Sequence, residues 1–400
     1  MAPGNASRHR RRVLIAGGGF AAVEAALALK ALADDRVQLV LLAPDPVFRY
    51  RPAATGESFD VSPTRGYDLP TIAADIGASY HRGRLEAVAS RKQWARTAAG
   101  ARLRYDCLLL ATGARPVARV PGAITFRDQR DVSKLRRIVG EVEAGAVRRA
   151  VFALPNGTVW PLPLYELALL SARRARERGL TLECTLVSPE EAPLAMFGRA
   201  SSRLVGDLLE DGGVRFIGSS VAAEVDRHGL LVLTDGTSIE ADRVVALPEL
   251  RGRRITGVPG NPSGFVPVDS LGRVEGLHNV YAAGDLTTFP IKQGGLAAQQ
   301  ADVVAHTLAE QLGVPVKQVR APHVLRARLI GGERPVFLRT EFDWSGHPTK
   351  SALEGAGDEQ AASAAKVLGR YLVPYLETRE TLSDGAGRGR THAASGRGSE

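Results

Sequence analysis

The stretch Arg12–Leu42, RVLIAGGGFAAVEAALALKALADDRVQLVLL, contains the pattern that decides the fold. It predicts a short buried strand over Arg12–Ala16, a glycine-rich turn, a helix over Ala21–Ala33 and a second strand over Val37–Leu42. Two consecutive strands that are joined by a helix run parallel, since a tight hairpin cannot connect them. The stretch therefore predicts a βαβ unit and a parallel sheet.

The turn between the first strand and the helix has the spacing G-x-G-x-x-A, which is typical of dinucleotide-binding units. Gly17 permits the tight turn, Gly19 lets the backbone approach a diphosphate, and the small Ala22 lets the helix pack closely on the strand. The amides at the start of the helix then bind phosphate. We predict a dinucleotide site that contains Gly17, Gly19, Ala22 and the intervening Phe20.

The acidic residue that usually ends the second strand and holds the ribose hydroxyls is missing. Ala43 and Pro44 stand in its place, and Asp45 follows two positions on. Either Asp45 replaces the missing acid as a cofactor-binding residue, or it only starts the Asp-Pro turn. The sequence does not favour one of these two roles over the other.

A second unit of the same type is predicted further along the chain. Its elements are a strand over Arg149–Leu154, a helix over Pro163–Arg178 and a strand over Leu182–Val187. The connecting loop, Pro155–Glu166 (PNGTVWPLPLYE), contains one glycine and three prolines. Because proline lacks the amide hydrogen that binds phosphate, we do not expect tight NAD(P) binding in this half.

Composition and charge exclude several classes of protein. The chain has 400 residues, 44% hydrophobic and 24% charged, which is typical of two or three globular domains. Four positive charges of the net +9 lie in the arm formed by Arg8 and Arg10–Arg12, and the remaining excess is too weak for a nucleic-acid footprint. Cys107 and Cys184 lie far apart in apolar stretches, so they predict buried inert thiols rather than a zinc site, a metal cluster or a local disulfide.

No membrane span or signal peptide is predicted. Gly17–Gly19, Glu24 and Lys30 interrupt the apolar start of the chain, so we expect a cytoplasmic protein. The segment 364–378 (AAKVLGRYLVPYLET) has a broad apolar face. It reaches the inner face of a membrane as a peripheral contact, or it docks on the chain's own core or on a homodimer partner; docking is favoured, because Pro374 kinks the helix and few cations flank it.

Two later strands carry further signatures. The stretch Tyr105–Gly113 (YDCLLLATG) ends in Ala-Thr-Gly, and His278–Asp285 (HNVYAAGD) ends in Gly-Asp. Together with the glycine turn, they resemble the three signatures of the two-dinucleotide-domain flavoproteins, the pyridine nucleotide–disulfide oxidoreductase superfamily, over roughly residues 12–340. The resemblance implies FAD bound in an extended form.

This resemblance also implies roles for single residues and a domain order. Thr112 and Gly113 would line the flavin side, Asp285 would accept hydrogen bonds from the ribityl chain, and Gly284 would leave room for it. The expected fold is α/β, with two Rossmann-like domains of which the second is inserted in the first, and a small C-terminal β/α region. The expected parts are a disordered arm (1–11), the FAD domain (12–120 and 245–320), the second domain with its degenerate nicotinamide loop (121–244), an interface region (321–380) and a disordered tail (381–400).

The proline-rich loop resembles a narrower group. Its Pro-x-x-x-Tyr-Glu sequence, ending at Glu166, and the following Thr185–Gly198 are similar to sulfide:quinone oxidoreductases and to the flavoprotein subunit of sulfide dehydrogenase. In those enzymes a cysteine near the flavin precedes the Glu by about six residues, and here that place is taken by Trp160. No cysteine follows Cys184, so the resemblance predicts an active site without redox cysteines. Trp160 either lies beside the flavin or packs as a core residue between the two halves, and the sequence does not favour one role over the other.

The stretch Pro290–Val304 (PIKQGGLAAQQADVV) resembles the segment beneath the flavin in sulfide:quinone and type II NADH:quinone oxidoreductases. We predict that Lys292 adds positive charge beside the flavin, against the alternative of a solvated lysine. Gly294 and Gly295 are predicted to open the N-terminus of a helix whose positive end faces the cofactor.

These observations predict an FAD-dependent oxidoreductase that passes electrons from a small-molecule donor to a quinone-like acceptor. One alternative is a type II NADH:quinone oxidoreductase with an atypical NAD(P)H site. Another, from a different class, is a non-catalytic FAD-binding sensor or partner-binding protein, because both the cysteines and the glycine loop are missing.

Overall fold

The structure, a computed structural model, describes residues 10–317, 323–353 and 369–379. The predicted disordered arm and tail therefore lie outside the described residues, apart from Arg10 and Arg11, and so do residues 364–368 of the apolar C-terminal segment.

The first part of the chain alternates strands with short helices. Its elements are β1 (Arg11–Ala16), α1 (Phe20–Ala33), β2 (Val37–Ala43), β3 (Val47–Arg49), α2 (Ala54–Glu57), β4 (Gly66–Asp68), α3 (Leu69–Asp75), β5 (Ser79–Arg82), β6 (Leu85–Ala89), β7 (Trp94–Thr97), β8 (Arg102–Arg104), β9 (Cys107–Leu110) and β10 (Arg115–Val117). The predicted βαβ unit is confirmed, with each boundary shifted by no more than about one residue.

The middle and last parts contain the second unit and a return to the first. Their elements are β11 (Ile124–Thr125), α4 (Val132–Glu143), β12 (Arg149–Ala153), α5 (Leu162–Glu177), β13 (Glu183–Val187), α6 (Arg199–Asp211), β14 (Val214–Ile217), β15 (Ala222–Val225), β16 (Leu231–Leu233), β17 (Ser238–Ile239), β18 (Arg243–Ala246), β19 (Glu249–Arg251), β20 (Val280–Ala282), α7 (Gly294–Gln311), β21 (His323–Leu329), β22 (Val336–Phe342) and β23 (Pro348–Leu353). Short 3-10 helices cover Arg51–Ala53, Ser90–Lys92, Gln129–Asp131, Ala195–Phe197 and Gly284–Leu286.

Two parallel five-stranded sheets form the framework. Their strand orders are β20-β9-β1-β2-β5 and β11-β18-β12-β13-β14. In the first sheet, α1 and α7 cover one face and pack on each other, while the opposite face contacts the antiparallel strands β6–β8. These paired parallel sheets confirm the predicted α/β fold with two dinucleotide-binding units.

One predicted boundary is wrong in detail. The sequence analysis placed the return to the first unit at residue 245, but β18 (Arg243–Ala246) pairs with both β11 and β12 and so belongs to the second sheet. The antiparallel pair β10–β19 follows, where the chain passes between the two units.

The C-terminal residues dock on the chain's own core. Strands β21, β22 and β23 form an antiparallel sheet, and residues 372–379 form a helical segment. Leu372 and Leu376 are buried among α1 and α7 side chains, and buried Glu24 accepts hydrogen bonds from the amides of Tyr371 (2.9 Å) and Leu372 (2.7 Å). Leu372 and Leu376 are therefore covered by the chain itself, whereas Tyr371, Val373 and Tyr375 are half-buried. Within the described ranges, no helix has both the length and the apolar character that a bilayer crossing requires.

Candidate cofactor and redox site

A cavity of about 970 Å³ lies at the carboxyl ends of the first parallel sheet. Open α/β sheets bind ligands at this edge. The predicted site residues that line it are Gly17, Gly19, Phe20, Asp45, Thr112, Gly113, Trp160, Gly284, Asp285, Lys292 and Gly294. The sequence thus identified residues from four strand ends and the start of α7 that the fold brings into one cavity.

The glycine turn leaves space on the cavity side and none behind it. A Cβ on Gly17, whose φ is +149°, would lie 2.1 Å from the carbonyl oxygen of Ala111, whereas a Cβ on Gly19 would have no atom within 4 Å. No side chain caps α1, and its first turn holds no acidic residue. The amide groups at this helix start are therefore available to an anion. Ala22 is fully buried in α1, where it packs as predicted, but it does not line the cavity, so its assignment as a cofactor-binding residue is wrong.

Phe20 and Gly284 lie where the start of α1 contacts the start of α7. A Cβ on Gly294 would lie 3.0 Å from the Phe20 ring, and a Cβ on Gly284 would lie 3.2 Å from the Cβ of Ala21. These close approaches require small residues and fix the distance between α1 and α7.

Polar groups in the cavity fit FAD. The buried hydroxyl of Thr112 has no hydrogen-bond partner among the described residues, and the carboxylate of Asp285 makes no hydrogen bond there. Burial raises the pKa of Asp285, while the positive charges of Lys292 and Arg51 oppose that rise. The carboxylate of Asp285 can accept hydrogen bonds from ribityl hydroxyls, and the unpartnered hydroxyl of Thr112 can bind the edge of the flavin.

Asp45 forms the turn after β2 and also lines the cavity. Its carboxylate accepts a hydrogen bond from the amide of Val47 at 3.0 Å and pairs with Arg49 at 3.3 Å, so it does form the turn. It also lines the cavity beside Ala43 and Pro44.

Lys292 is a buried cation, and the alternative of a solvated lysine is wrong. Its side chain is 3% exposed, and Nζ donates to the carbonyl oxygens of Thr287 and Phe289 at 2.5 Å. Nζ also lies 4.0 Å from the centroid of the Phe265 ring. Burial lowers the pKa of Lys292 to about 8, against the opposing effect of Asp285.

The start of α7 differs from the expectation of an open helix end. Oε1 of Gln293 accepts hydrogen bonds from the amides of Gly295 (2.7 Å) and Leu296 (3.0 Å). The Gly295 amide is therefore occupied, and Gly295 does not line the cavity. The prediction for Gly295 is wrong, because the residue that precedes the glycines caps the helix with its own side chain.

Sequence analysis did not assign a role to Glu166, although it quoted the residue. Glu166 is 1% exposed, lines the cavity and accepts a hydrogen bond from the hydroxyl of the buried Thr55. Its other oxygen accepts from the amide of Ile330 at 3.4 Å. The signal was a lone charge in an apolar helical stretch, LYELALL, which predicts a buried and satisfied carboxylate.

Trp160 lies between the cavity and the core of the second unit. The half-buried ring lines the cavity and also packs edge-on against Phe197, with ring centroids 6.4 Å apart. It lies in the loop that precedes α5, so it joins the second unit to the cavity.

The first loop of the second unit differs from the glycine turn of the first unit. Helix α5 starts after Pro161 with Pro163 in its first turn, and Leu162 and Leu164 are buried. Proline at this position removes one amide donor, and burial of the neighbouring residues closes the helix end.

The acidic residue of the second unit is also engaged. Glu190 follows β13, where a dinucleotide unit would place the acid that holds ribose. It accepts hydrogen bonds from the hydroxyls of Tyr165 (2.7 Å) and Ser188 (3.1 Å), and its burial raises its pKa. The Glu190 carboxylate is therefore engaged within the second unit.

Both cysteines are buried and unpaired, as predicted. Burial raises the pKa of Cys107 to about 11 and raises that of Cys184 as well. Neither lines the cavity. No group of His, Cys, Asp and Glu that would suit a metal ion is found in the ranges that the structure describes.

The chain is similar to proteins of one family. The pyridine nucleotide-disulphide oxidoreductase family matches residues 165–302. A sulfide-quinone reductase from Aquifex aeolicus is 21% identical over 332 residues, which cover 76% of this chain and 77% of that protein. The peroxisomal monodehydroascorbate reductase 4 from Arabidopsis thaliana is 25% identical over 70% of this chain, which spans 61% of the length of that relative.

Solved structures agree with this assignment of fold. The sulfide:quinone oxidoreductase from Aquifex aeolicus superposes with a TM-score of 0.76 at 19% identity, covering 85% of this chain and 86% of that chain. A ferredoxin reductase from Rhodopseudomonas palustris has a TM-score of 0.65 at 19% identity and covers 83% of each chain. Residues 165–302 therefore resemble the pyridine nucleotide-disulphide oxidoreductase family, and the chain has the fold of these two solved oxidoreductases.

Proposed function

We propose that this protein is an FAD-dependent oxidoreductase that passes electrons from a small donor to a quinone-like acceptor without redox cysteines. The observation that carries the proposal is the single cavity at the end of the first sheet. It joins the glycine turn, Asp285 and Lys292, and both cysteines lie outside it. FAD supplies the two-electron chemistry, and the protein supplies binding, orientation and charge.

Three groups of the chain would hold the cofactor. The turn Gly17–Gly19 would bind the diphosphate, Asp285 would accept hydrogen bonds from ribityl hydroxyls, and the hydroxyl of Thr112 would bind near the flavin. Of these groups, the Thr112 hydroxyl and the Asp285 carboxylate lack hydrogen-bond partners within the described residues, whereas the Gly17 amide donates to the carbonyl oxygen of Leu42 at 2.8 Å.

Two buried side chains would stabilise negative charge and transfer protons in the cavity. Lys292 keeps a positive charge below about pH 8, and a fixed cation in a site of low dielectric stabilises negative charge that develops nearby. Glu166 is held by Thr55 at the cavity wall and is placed to accept or donate a proton there.

The closed second unit argues against NADH or NADPH as the donor. Pro163 removes an amide at the start of α5, and Glu190 is bound to Tyr165. We therefore expect neither nucleotide to reduce the bound flavin rapidly.

Anaerobic mixing tests this proposal. Holo-protein is mixed with sulfide, ascorbate, NADH or NADPH, and the loss of flavin absorbance is followed before a water-soluble quinone is added. The proposal predicts slow bleaching by both nicotinamides, prompt bleaching by one of the small donors, and reoxidation by the quinone. Prompt bleaching by NADH would favour the type II NADH:quinone alternative, and bleaching by none of the donors would favour the non-catalytic one.

A further inference from the structure

Four arginine side chains line the cavity without a partner: Arg51, Arg84, Arg115 and Arg253. Each is exposed, and in the described part of the chain none makes a side-chain hydrogen bond or an ion pair. They come from four separate segments, namely the 3-10 helix Arg51–Ala53, the turn after β5, the start of β10 and the coil after β19. The fold therefore gathers cations that are far apart in sequence.

The acids of the cavity do not neutralise these cations. Most of the carboxylates that line it are engaged with other arginines, in the pairs Asp45–Arg49 (3.3 Å), Glu86–Arg96 (3.1 Å) and Asp128–Arg130 (2.7 Å). An excess of positive charge thus remains on the cavity wall.

The four arginines also act on one another. The pKa of Arg253 is lowered, first by the partial burial of its guanidinium and then by the neighbouring charges of Arg51, Arg115 and Arg84. Like charges held together cost free energy unless an anion lies between them. Arg51 in addition lies close enough to Asp285 to oppose the rise in its pKa, so the cluster extends toward the carboxylate that we assign to ribityl binding.

We propose that Arg51, Arg84, Arg115 and Arg253 form a second binding element for the diphosphate of FAD, alongside the glycine turn. The proposal rests on FAD binding in this cavity. A guanidinium forms paired hydrogen bonds with phosphate oxygens, and the diphosphate supplies the negative charge that the cavity wall lacks.

The cluster also accounts for a departure from the usual dinucleotide site. The acid that normally ends the second strand is replaced by Ala43-Pro44, and Asp45 is already bound to Val47 and Arg49. Affinity that other dinucleotide units draw from the ribose hydroxyls would here come from the phosphates.

Titration of the apo-protein with FAD tests this role. FAD is removed, and its dissociation constant is measured from flavin fluorescence for the wild type and for Arg51→Gln, Arg84→Gln, Arg115→Gln and Arg253→Gln. Loss of a charge-assisted hydrogen bond is expected to weaken FAD binding about tenfold to a hundredfold in at least two of the variants. Arg253→Lys keeps the charge and is expected to recover part of the affinity.

Arg173→Gln is the matched control, because it removes the same charge from the exposed pair Arg173–Glu177 (2.8 Å), neither member of which lines the cavity. It should bind FAD as the wild type does. The four arginines make no side-chain hydrogen bond within the described residues and repel one another, so the apo-variants are expected to keep the thermal midpoint of the wild type or to raise it slightly. Inorganic pyrophosphate should compete with FAD for the wild type and should compete less well for the variants.

The possible results distinguish a failure of the arginine proposal from a failure of the proposed function. If the wild type binds FAD and all four glutamine variants bind it equally well, the proposed role of the arginines is overturned. It is also overturned if pyrophosphate binds FAD-loaded protein as tightly as apo-protein, since the cluster would then serve a separate anion. If the wild type itself does not bind FAD, the proposed function fails instead.

Discussion

At the scale of single residues, Asp285 is the strongest test of how the cofactor is held. Its carboxylate faces the cavity and has no hydrogen-bond partner in the part of the chain that the structure describes. Asp285→Ala removes a charged acceptor, so FAD binding should weaken by roughly 1.5–3 kcal/mol. Fluorescence titration of the apo-protein measures the change. Equal affinity in the variant and the wild type would contradict the assignment, and Asp285→Asn, which keeps one acceptor, should fall between them.

Trp160 should affect both the flavin and the stability of the protein. The ring lines the cavity and packs on Phe197, so Trp160→Ala removes contacts on both sides. We expect brighter flavin fluorescence in the variant, because a nearby indole quenches it, and a lower thermal midpoint, because a half-buried aromatic is lost.

Trp160→Phe provides the control for that experiment. It keeps much of the packing, so it should restore the thermal midpoint more fully than it restores quenching. If Trp160→Ala lowers the thermal midpoint while the flavin spectrum and fluorescence stay unchanged, Trp160 is a core residue and not part of the flavin site.

At the scale of secondary-structure elements, the two glycines of the first turn should behave differently. A Cβ on Gly17 would collide with the backbone of Ala111, and its φ of +149° is unfavourable for other residues, so Gly17→Ala should destabilise the fold. Gly19→Ala meets no atom within 4 Å, so the apo-protein should fold normally, but its methyl group projects where the diphosphate would bind. Circular dichroism and the FAD content of the purified proteins separate the two effects. A Gly19→Ala variant with full FAD content would contradict the placement of the diphosphate.

Helix α1 is also held from its other side, through Glu24. Burial raises the pKa of Glu24 from 4.5 to about 7, because desolvation outweighs the hydrogen bonds from the amides of Tyr371 and Leu372, and Asp302 adds to the rise. The folded state therefore binds the proton more tightly than the unfolded state. The stability that this group contributes is fully present below about pH 4.5 and is lost as the pH rises through 7.

We expect the Glu24→Gln variant to lose this pH dependence. The difference in unfolding free energy between the wild type and the variant should change by up to about 3 kcal/mol between pH 4.5 and 8, with the wild type favoured at the lower pH. Urea unfolding at intervals of one pH unit measures it. The exposed Glu177→Gln variant is the control, and parallel pH profiles for the wild type and Glu24→Gln would show that Glu24 does not titrate in this range.

Sequence alone predicted the elements whose signals are local. The order β1–α1–β2 follows from periodicity and from glycines whose spacing has a steric reason. The assignment of β18 to the second sheet was missed, because it depends on pairing with β11 and β12 across long stretches of chain. The cap by Gln293 was missed as well, since glutamine is not a usual capping residue.

At the scale of the whole molecule, the two units are unequal. The first unit opens its glycine turn into the cavity, whereas in the second unit the corresponding helix end is closed by Pro163 and by buried leucines. The cluster of four arginines was also beyond sequence analysis, because their segments meet only in the folded chain. What the sequence predicted well was which strand ends carry the cofactor, and what it could not predict was which charges gather around them.

We expect FAD to be the redox centre of this protein and its thiols to take no part in the reaction. Cys107 and Cys184 are buried, lie outside the cavity and have raised pKa values. A Cys107→Ser/Cys184→Ser variant should therefore keep its FAD and behave as the wild type does in the same assay.

Anaerobic titration of the holo-protein with dithionite tests this claim most directly, because it counts the electrons that each molecule accepts. We predict that full reduction takes two electrons for each bound FAD, both in the wild type and in the double cysteine variant. We also predict no long-wavelength charge-transfer band between a thiolate and the flavin. An uptake of four electrons that falls to two in the cysteine variant, or protein that holds no FAD to reduce, would contradict this claim.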